Sequence, residues 1–194
     1  MTYITTNELI VFAAVSLIII LFSRHVIFNP KSHGFYRFFG WECIAWLAVN
    51  NYKYWFDDPF SVYQIISWIL LFYAMILIIV GVVLMKTKGK ANLTSRQTGK
   101  TREDNTLYSF ERTTKLIETG IYKYIRHPLY GSLIFLTWGI YFKSTTIEML
   151  IISILSTIFL FITSLIEEKE NIKYFGQEYK DYMKRSKMFI PYII

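Results

Sequence analysis

Two short polar clusters hold most of the residues in this chain that could do chemistry. The first is Gly120-Ile121-Tyr122-Lys123-Tyr124-Ile125-Arg126-His127-Pro128-Leu129-Tyr130-Gly131. Pro128 suits the first turn of a helix, where its missing N–H costs nothing. The free N–H groups of that turn, with the positive end of the helix dipole, make a ready site for an anion such as a carboxylate. Arg126 and His127 add donors there, and Tyr130 follows close to one turn on. The second cluster is Glu167-Glu168, directly after a long apolar run. Acids are poorly placed at a helix C-terminus, where the dipole disfavours each by about 0.3–1 kcal/mol. A carboxylate there could accept hydrogen bonds from both hydroxyls of a ribose. Each cluster also has a plainer reading. The first could be a helix start whose Arg and Tyr reach to lipid headgroups, and the second a helix running into water as Glu-Glu-Lys-Glu. Residue types alone leave both pairs of readings open. Glu42 is a third candidate, because an acid inside an apolar block needs a partner. Arg37, five residues earlier, fits as an approximate helical neighbour, and a structural pair and a substrate contact are both consistent with it.

Other chemistry is excluded. The chain has no Gly-x-Gly-x-x-Gly after a strand, no phosphate-binding Walker loop, no His-Glu-x-x-His and no Gly-x-Ser-x-Gly. Cys43 is the single cysteine and there are three histidines, His25, His33 and His127, so neither an internal disulfide nor a Cys/His metal cage is expected.

The elements that must position these residues are apolar helices. Of 194 residues, 54% are hydrophobic and 19% aromatic, and the apolar ones come in long blocks, which points to an integral membrane protein. Five blocks are expected to span: residues 9–27, 35–55, 62–85, 128–142 and 146–166. About 20 residues cross the hydrocarbon core. The second block is interrupted by Arg37, Glu42, Asn50 and Asn51, and the fourth is short. The loops give an independent check. With five spans, 19 of the 21 Lys and Arg residues fall on one side and two on the other. The positive-inside rule then places the N-terminus outside and the C-terminus in the cytoplasm. That asymmetry also accounts for the net charge of +7 without a nucleic-acid partner. The first block lacks a basic leader and a small-residue cleavage site, so it reads as a retained span.

The expected fold is therefore all-α: a polytopic membrane protein with five transmembrane helices, forming a single membrane domain over residues 1–194. Residues 1–85 form three spanning helices and residues 86–127 a cytoplasmic loop. Residues 128–194 form a helical hairpin and an interfacial helix. The loop is polar and irregular through residue 112. In the tail, Tyr174, Phe175, Tyr179, Tyr182 and Met183 interleave with Lys173, Lys180, Lys184 and Arg185, the pattern of an amphipathic helix at the headgroups.

Read in order, the clusters resemble the isoprenylcysteine carboxyl methyltransferase family of membrane enzymes. The matching steps are Leu116-Ile117, Gly120-Ile121-Tyr122, Arg126-His127-Pro128-Leu129-Tyr130, Glu167-Glu168 and Phe175-Gly176-Gln177-Glu178-Tyr179-Lys180-Asp181-Tyr182. Order and spacing match over about a third of the chain, and the first three helices match only in being apolar. The resemblance implies S-adenosylmethionine as cofactor, with S-adenosylhomocysteine as product. It implies that Thr114, Lys115, Leu116, Ile117, Tyr122, His127, Pro128, Leu129 and Tyr130 hold the cofactor's amino-acid and sulfur end, and that Glu167 binds the ribose hydroxyls. The implied acceptor is the carboxylate of a prenylated cysteine, on a lipophilic small molecule or a prenylated protein or peptide within membrane lipid. One departure stands out: eukaryotic members carry an Arg one turn before the first Glu, and this chain has Thr163.

A carboxylate acceptor is already ionised near neutral pH and needs no base. Arg126 would then steer the anion. An amine lipid acceptor would need a base, for which Glu168 or Glu42 could serve. A sterol-reductase-like NADPH enzyme shares the Arg-His-Pro-x-Tyr step and an Ile190-Pro191-Tyr192 ending, but differs at Glu-Glu. A non-enzymatic adaptor, with its basic loop on anionic lipid, would bind no cofactor.

Overall fold

The computed structural model describes residues 5–89 and 113–193. Most of the polar loop falls outside the described residues, as does its expected irregularity. Six α-helices follow in order: α1 Thr6–Ser23, α2 His33–Asn51, α3 Val62–Lys88, α4 Pro128–Tyr141, α5 Ile147–Phe175 and α6 Gln177–Arg185. Short 3₁₀ turns cover Tyr52–Tyr54 and Gly120–Lys123. Among the described residues there is no strand, only an isolated parallel bridge between Ile125 and Lys187.

Local chemistry sets the helix starts. Thr5 and Glu8 form a capping box on α1, Ser61 accepts from Gln64 N on α3, and Thr146 accepts from Met149 N on α5. Each satisfies backbone donors that the first turn leaves open. Pro128 opens α4, as expected of a residue without an N–H. Gly176, with φ of +68°, ends α5 and turns the chain into α6, a conformation that a Cβ would penalise.

Helices α1, α3 and α5 are long and apolar enough to cross a membrane. Their outward faces carry Leu17, Ile18, Ile69, Phe72, Ile76, Ile79 and Ile158, all exposed. Large apolar side chains facing outward along whole helices are what a lipid solvent asks for, and the chain reads as a membrane protein. The polar groups turn inward instead: Ser67 donates to the Gly139 carbonyl at 2.6 Å, Asn51 donates to the Ile140 carbonyl at 2.9 Å, and the Thr137 and Ser156 hydroxyls meet at 3.1 Å. Helix α4, only 14 residues, packs against α2, α3 and α5. Its approach to α3 depends on Gly139, where a Cβ would come within 2.8 Å of Leu71. Small residues allow this closeness between helices that gain nothing from apolar burial in lipid.

Several boundaries differ from the sequence reading, the ends of α1, α2 (at Asn51) and α5 the most. Helix α1 ends at Ser23, and residues 24–28 form a turn. Helix α5 does not stop at Ile166; it runs through Glu167 and Glu168 to Phe175. The sequence showed where the apolar character ends, but backbone helicity continues as long as propensity and packing permit.

Candidate functional site

The two polar clusters, some 40 residues apart in sequence, meet in space. After the turn at Gly120–Lys123 the chain passes through Ile125, which is fully buried. The segment following α6 pins it. Lys187 N donates to the Tyr124 carbonyl at 2.8 Å, Arg126 N to the Lys187 carbonyl at 2.7 Å, and His127 N to the Met188 carbonyl at 3.1 Å. The start of α4 is thus fixed by the C-terminal tail.

Arg126 is buried at the centre. Its Nε donates to Glu168 Oε1 at 2.7 Å, and its Nη1 donates to the carbonyls of Ser186 and Met183. The side chains of Arg126 and Glu168 are 10% and 7% exposed, so the pair is an internal clamp joining the start of α4, the end of α5 and the end of α6. Sequence reading had given Arg126 and Glu168 separate catalytic parts; the fold commits much of each to the other. His127 is also buried. Its Nδ1 lies 3.7 Å from Glu167 Oε2, and its Nε2 lies 3.4 Å from Glu168 Oε1 without making a hydrogen bond. The ring stacks on Tyr130, centroids 5.7 Å apart.

Glu167 differs from its neighbour. Its side chain is 18% exposed, enough for a small ligand to reach it. Pro128, Leu129 and Tyr130 form the first turn of α4, directly after His127. Tyr122 is buried in its 3₁₀ turn, where its carbonyl accepts from the Tyr182 hydroxyl at 2.6 Å. Thr114–Ile117 takes a different position, against the end of α3. Thr114 N and Lys115 N both donate to the Gly89 carbonyl, at 2.9 and 3.3 Å. Ile117 is buried there, Thr114 and Lys115 are exposed, and neighbouring Glu118 pairs with Arg185 of α6.

The tail helix is more than an anchor. The headgroup reading puts its tyrosines at lipid, but Tyr179 and Tyr182 are buried inside the protein. Burial pushes both phenols well above their usual range, and for Tyr179 the carboxylate of Glu167 adds to the effect. They stay neutral donors over any working pH. Replacing Tyr182 by Phe should cost about 1–3 kcal/mol, because the buried Tyr122 carbonyl loses its donor. A lowered thermal midpoint in detergent would register this, and an unchanged one would contradict it.

Sequence reasoning missed His33 and Glu170. His33, fully buried at the start of α2, has Nδ1 2.6 Å from Glu170 Oε2, while its Nε2 is buried without a hydrogen bond. Nothing in the sequence links the second helix to the fifth, so no local signal could have joined the two. Glu42, the third candidate, has Oε1 buried without a hydrogen bond. Thr163 returns its hydroxyl to the Phe159 carbonyl at 2.8 Å. Among the described residues no group of His, Cys, Asp and Glu could hold a metal ion.

Comparison with known proteins adds independent findings. Residues 69–178 match the family model for phospholipid methyltransferases. Methanethiol S-methyltransferase 1 of Bradyrhizobium diazoefficiens is 34% identical over 89 residues, covering 45% of this chain and 30% of that protein. The methanethiol S-methyltransferase of Pseudomonas deceptionensis is 32% identical over 71 residues, 37% of this chain and 26% of that protein. That of Crocosphaera subtropica is 31% identical over 77 residues, 38% of this chain and 28% of that protein. The chain thus spans less than a third of the length of these curated relatives. No solved structure matches it. The family model covers more than half of the sequence and both of the polar clusters that meet at α4 and α5, and on that footing the chain belongs to the phospholipid methyltransferase family.

Proposed function

We propose that this protein transfers a methyl group from S-adenosylmethionine to a lipophilic acceptor at the cytoplasmic face of the membrane. The observation that carries the reading is the pairing of a reachable Glu167 with a buried His127 whose Nε2 lacks a hydrogen bond, beside the first turn of α4, where the His127 side chain makes no capping hydrogen bond. That donor and acceptor set suits a ligand with a carboxylate at one end and a ribose diol at the other. When bound, the cofactor supplies an electrophilic methyl on a sulfonium.

In this reading the chain's residues bind, orient and exclude water. Glu167 accepts from the ribose hydroxyls. The α4 first turn, with His127 to Tyr130, receives the amino-acid end. Arg126 acts through Glu168, holding the α5 carboxylates and the tail in register. Thr114–Ile117 and Tyr122 border the same end of the molecule. The reaction with an ionised acceptor then needs placement rather than proton removal.

The topology proposed with this function has all five of α1 to α5 crossing the bilayer, the N-terminus outside, and α6 on the cytoplasmic side. Helix α4, about 21 Å long at 1.5 Å per residue, fits this if its start at Pro128 is submerged. The described chain would form one membrane domain. The prenylcysteine carboxylate remains the acceptor favoured by motif order. The relatives, named for a thiol acceptor, support a second reading with a small thiol in its place.

The test is calorimetry on detergent-purified protein. Binding of S-adenosylhomocysteine is the expected result. No heat with that ligand and a signal with NADPH would overturn the methyltransferase reading in favour of a reductase. Turnover on a farnesylcysteine analogue or on methanethiol then separates the two acceptors.

A further inference from the structure

Helix α2 is capped from another helix. Ser32 stands at its N-cap position, yet the hydroxyl donates to the Asn29 carbonyl at 2.9 Å and makes no capping hydrogen bond. The carboxylate of Glu170, on α5, takes that place. Its Oε1 accepts from His33 N at 3.4 Å, and its Oε2 meets His33 Nδ1 at 2.6 Å. An acid at a helix N-terminus is favoured by the free N–H groups and by the dipole. An ionised carboxylate only accepts, so Nδ1 is the donor. Nε2 is buried without a hydrogen bond, which leaves the ring hydrogen-bonded, among the described residues, to Glu170 alone. The His33 side chain is fully buried and that of Glu170 is 23% exposed. The contact is a built joint between the start of α2 and the polar end of α5.

Its position ties this joint to the candidate site. Beyond Ile166, α5 carries Glu167, Glu168 and Glu170 in quick succession. Glu168 is held by Arg126 at 2.7 Å, and Glu170 by His33. Glu167 lies between the two, next to Glu168 in sequence and one turn before Glu170. Residues three apart on a helix are surface neighbours, and like charges at that spacing disfavour each other. The imidazole donor offsets this by engaging Glu170 with α2. One lock to the start of α4 and a second to the start of α2 therefore bracket the carboxylate assigned to the ribose.

We infer that His33 is a positioning residue for the cofactor: through Glu170 it fixes the turn of α5 that presents Glu167 to the ribose. The inference rests on the methyltransferase reading for the ligand of Glu167. It gives a part in cofactor binding to a residue that lies before the stretch matched by the family model, residues 69–178. His33 itself touches no ligand. Its effect passes along one helical turn, from the ring to Glu170 and from Glu170 to Glu167.

The experiment measures S-adenosylhomocysteine affinity of the detergent-purified protein by calorimetry, with ligand-observed NMR for the weak binders. His33→Ala should bind about tenfold more weakly than wild type, within the range by which contacting residues couple. His33→Asn, whose amide nitrogen can donate from near the place of Nδ1, should stay within about threefold of wild type. In a Glu167→Ala background, His33→Ala should change the affinity by less than about twofold, because the carboxylate it positions is gone. A residue that merely supports the fold would weaken binding equally in both backgrounds. Circular dichroism identifies the variants that fold, and if His33→Ala does not, Glu170→Gln takes its place in both backgrounds. Four results overturn the inference and leave the methyltransferase reading standing. They are wild-type affinity in a folded His33→Ala, a loss that adds in full to that of Glu167→Ala, a His33→Asn as weak as His33→Ala, and unfolding of both His33→Ala and Glu170→Gln. No binding of S-adenosylhomocysteine to wild type removes the methyltransferase reading, and the inference with it.

Discussion

Arg126→Met is expected to lower the thermal unfolding midpoint in detergent by roughly 10 °C, the largest stability effect of any single change in the site. The reason is asymmetry. Both partners of the Arg126–Glu168 pair are nearly dry, so removing the cation leaves a carboxylate with neither water nor its counter-charge. Breaking one partner of a buried pair costs about 3–5 kcal/mol, more than the pair contributes as a unit. The carbonyls of Ser186 and Met183 lose their donor at the same time. Arg126→Lys keeps the charge but not the fork, and should fall between. Replacing both residues, Arg126→Met with Glu168→Met, should restore much of the loss by removing the stranded charge. If Arg126→Met melts with wild type, the clamp does not hold the site together.

Glu167→Ala should weaken S-adenosylhomocysteine binding by at least about 100-fold with little change in stability. Hydrogen bonds to a charged group are each worth about 1.5–3 kcal/mol, and a diol makes two of them. At 1.4 kcal/mol per factor of ten, losing both gives about two orders of magnitude or more. Stability should change less than at Glu168 because the Glu167 side chain is partly solvated, 18% exposed against 7%. Glu167→Gln keeps one acceptor oxygen and should lose less. The contrast is diagnostic: adjacent residues, one giving a binding defect and the other, through Arg126, a folding defect. Calorimetry on a folded Glu167→Ala protein that matched wild type would remove Glu167 from the cofactor site.

These two residues also show how far a single sequence reaches. Its periodicities determined the helices. Long apolar runs with no polar alternation can only be satisfied by helices in lipid, and α1 to α5 appear close to where the runs lie. Pro128 marked the start of α4 because its chemistry is local, and Gly176 lies at the α5–α6 break for the same reason. The order of short motifs pointed to the family, since residue type and spacing survive without knowledge of contacts. Local chemistry could not say that Arg126 and Glu168 bind each other, because a pair 42 residues apart depends on how α4, α5 and α6 pack. It could not join His33 to Glu170, 137 residues away. It also read the tail tyrosines as lipid-facing, since an amphipathic pattern has the same form whether its apolar face meets a bilayer or the protein. The sequence by itself determined which segments are helical, which residues can do chemistry, and the family they belong to. Only tertiary packing decided that of two adjacent glutamates one is locked in a clamp and the other left within reach, because burial and partnership are properties of what surrounds a residue.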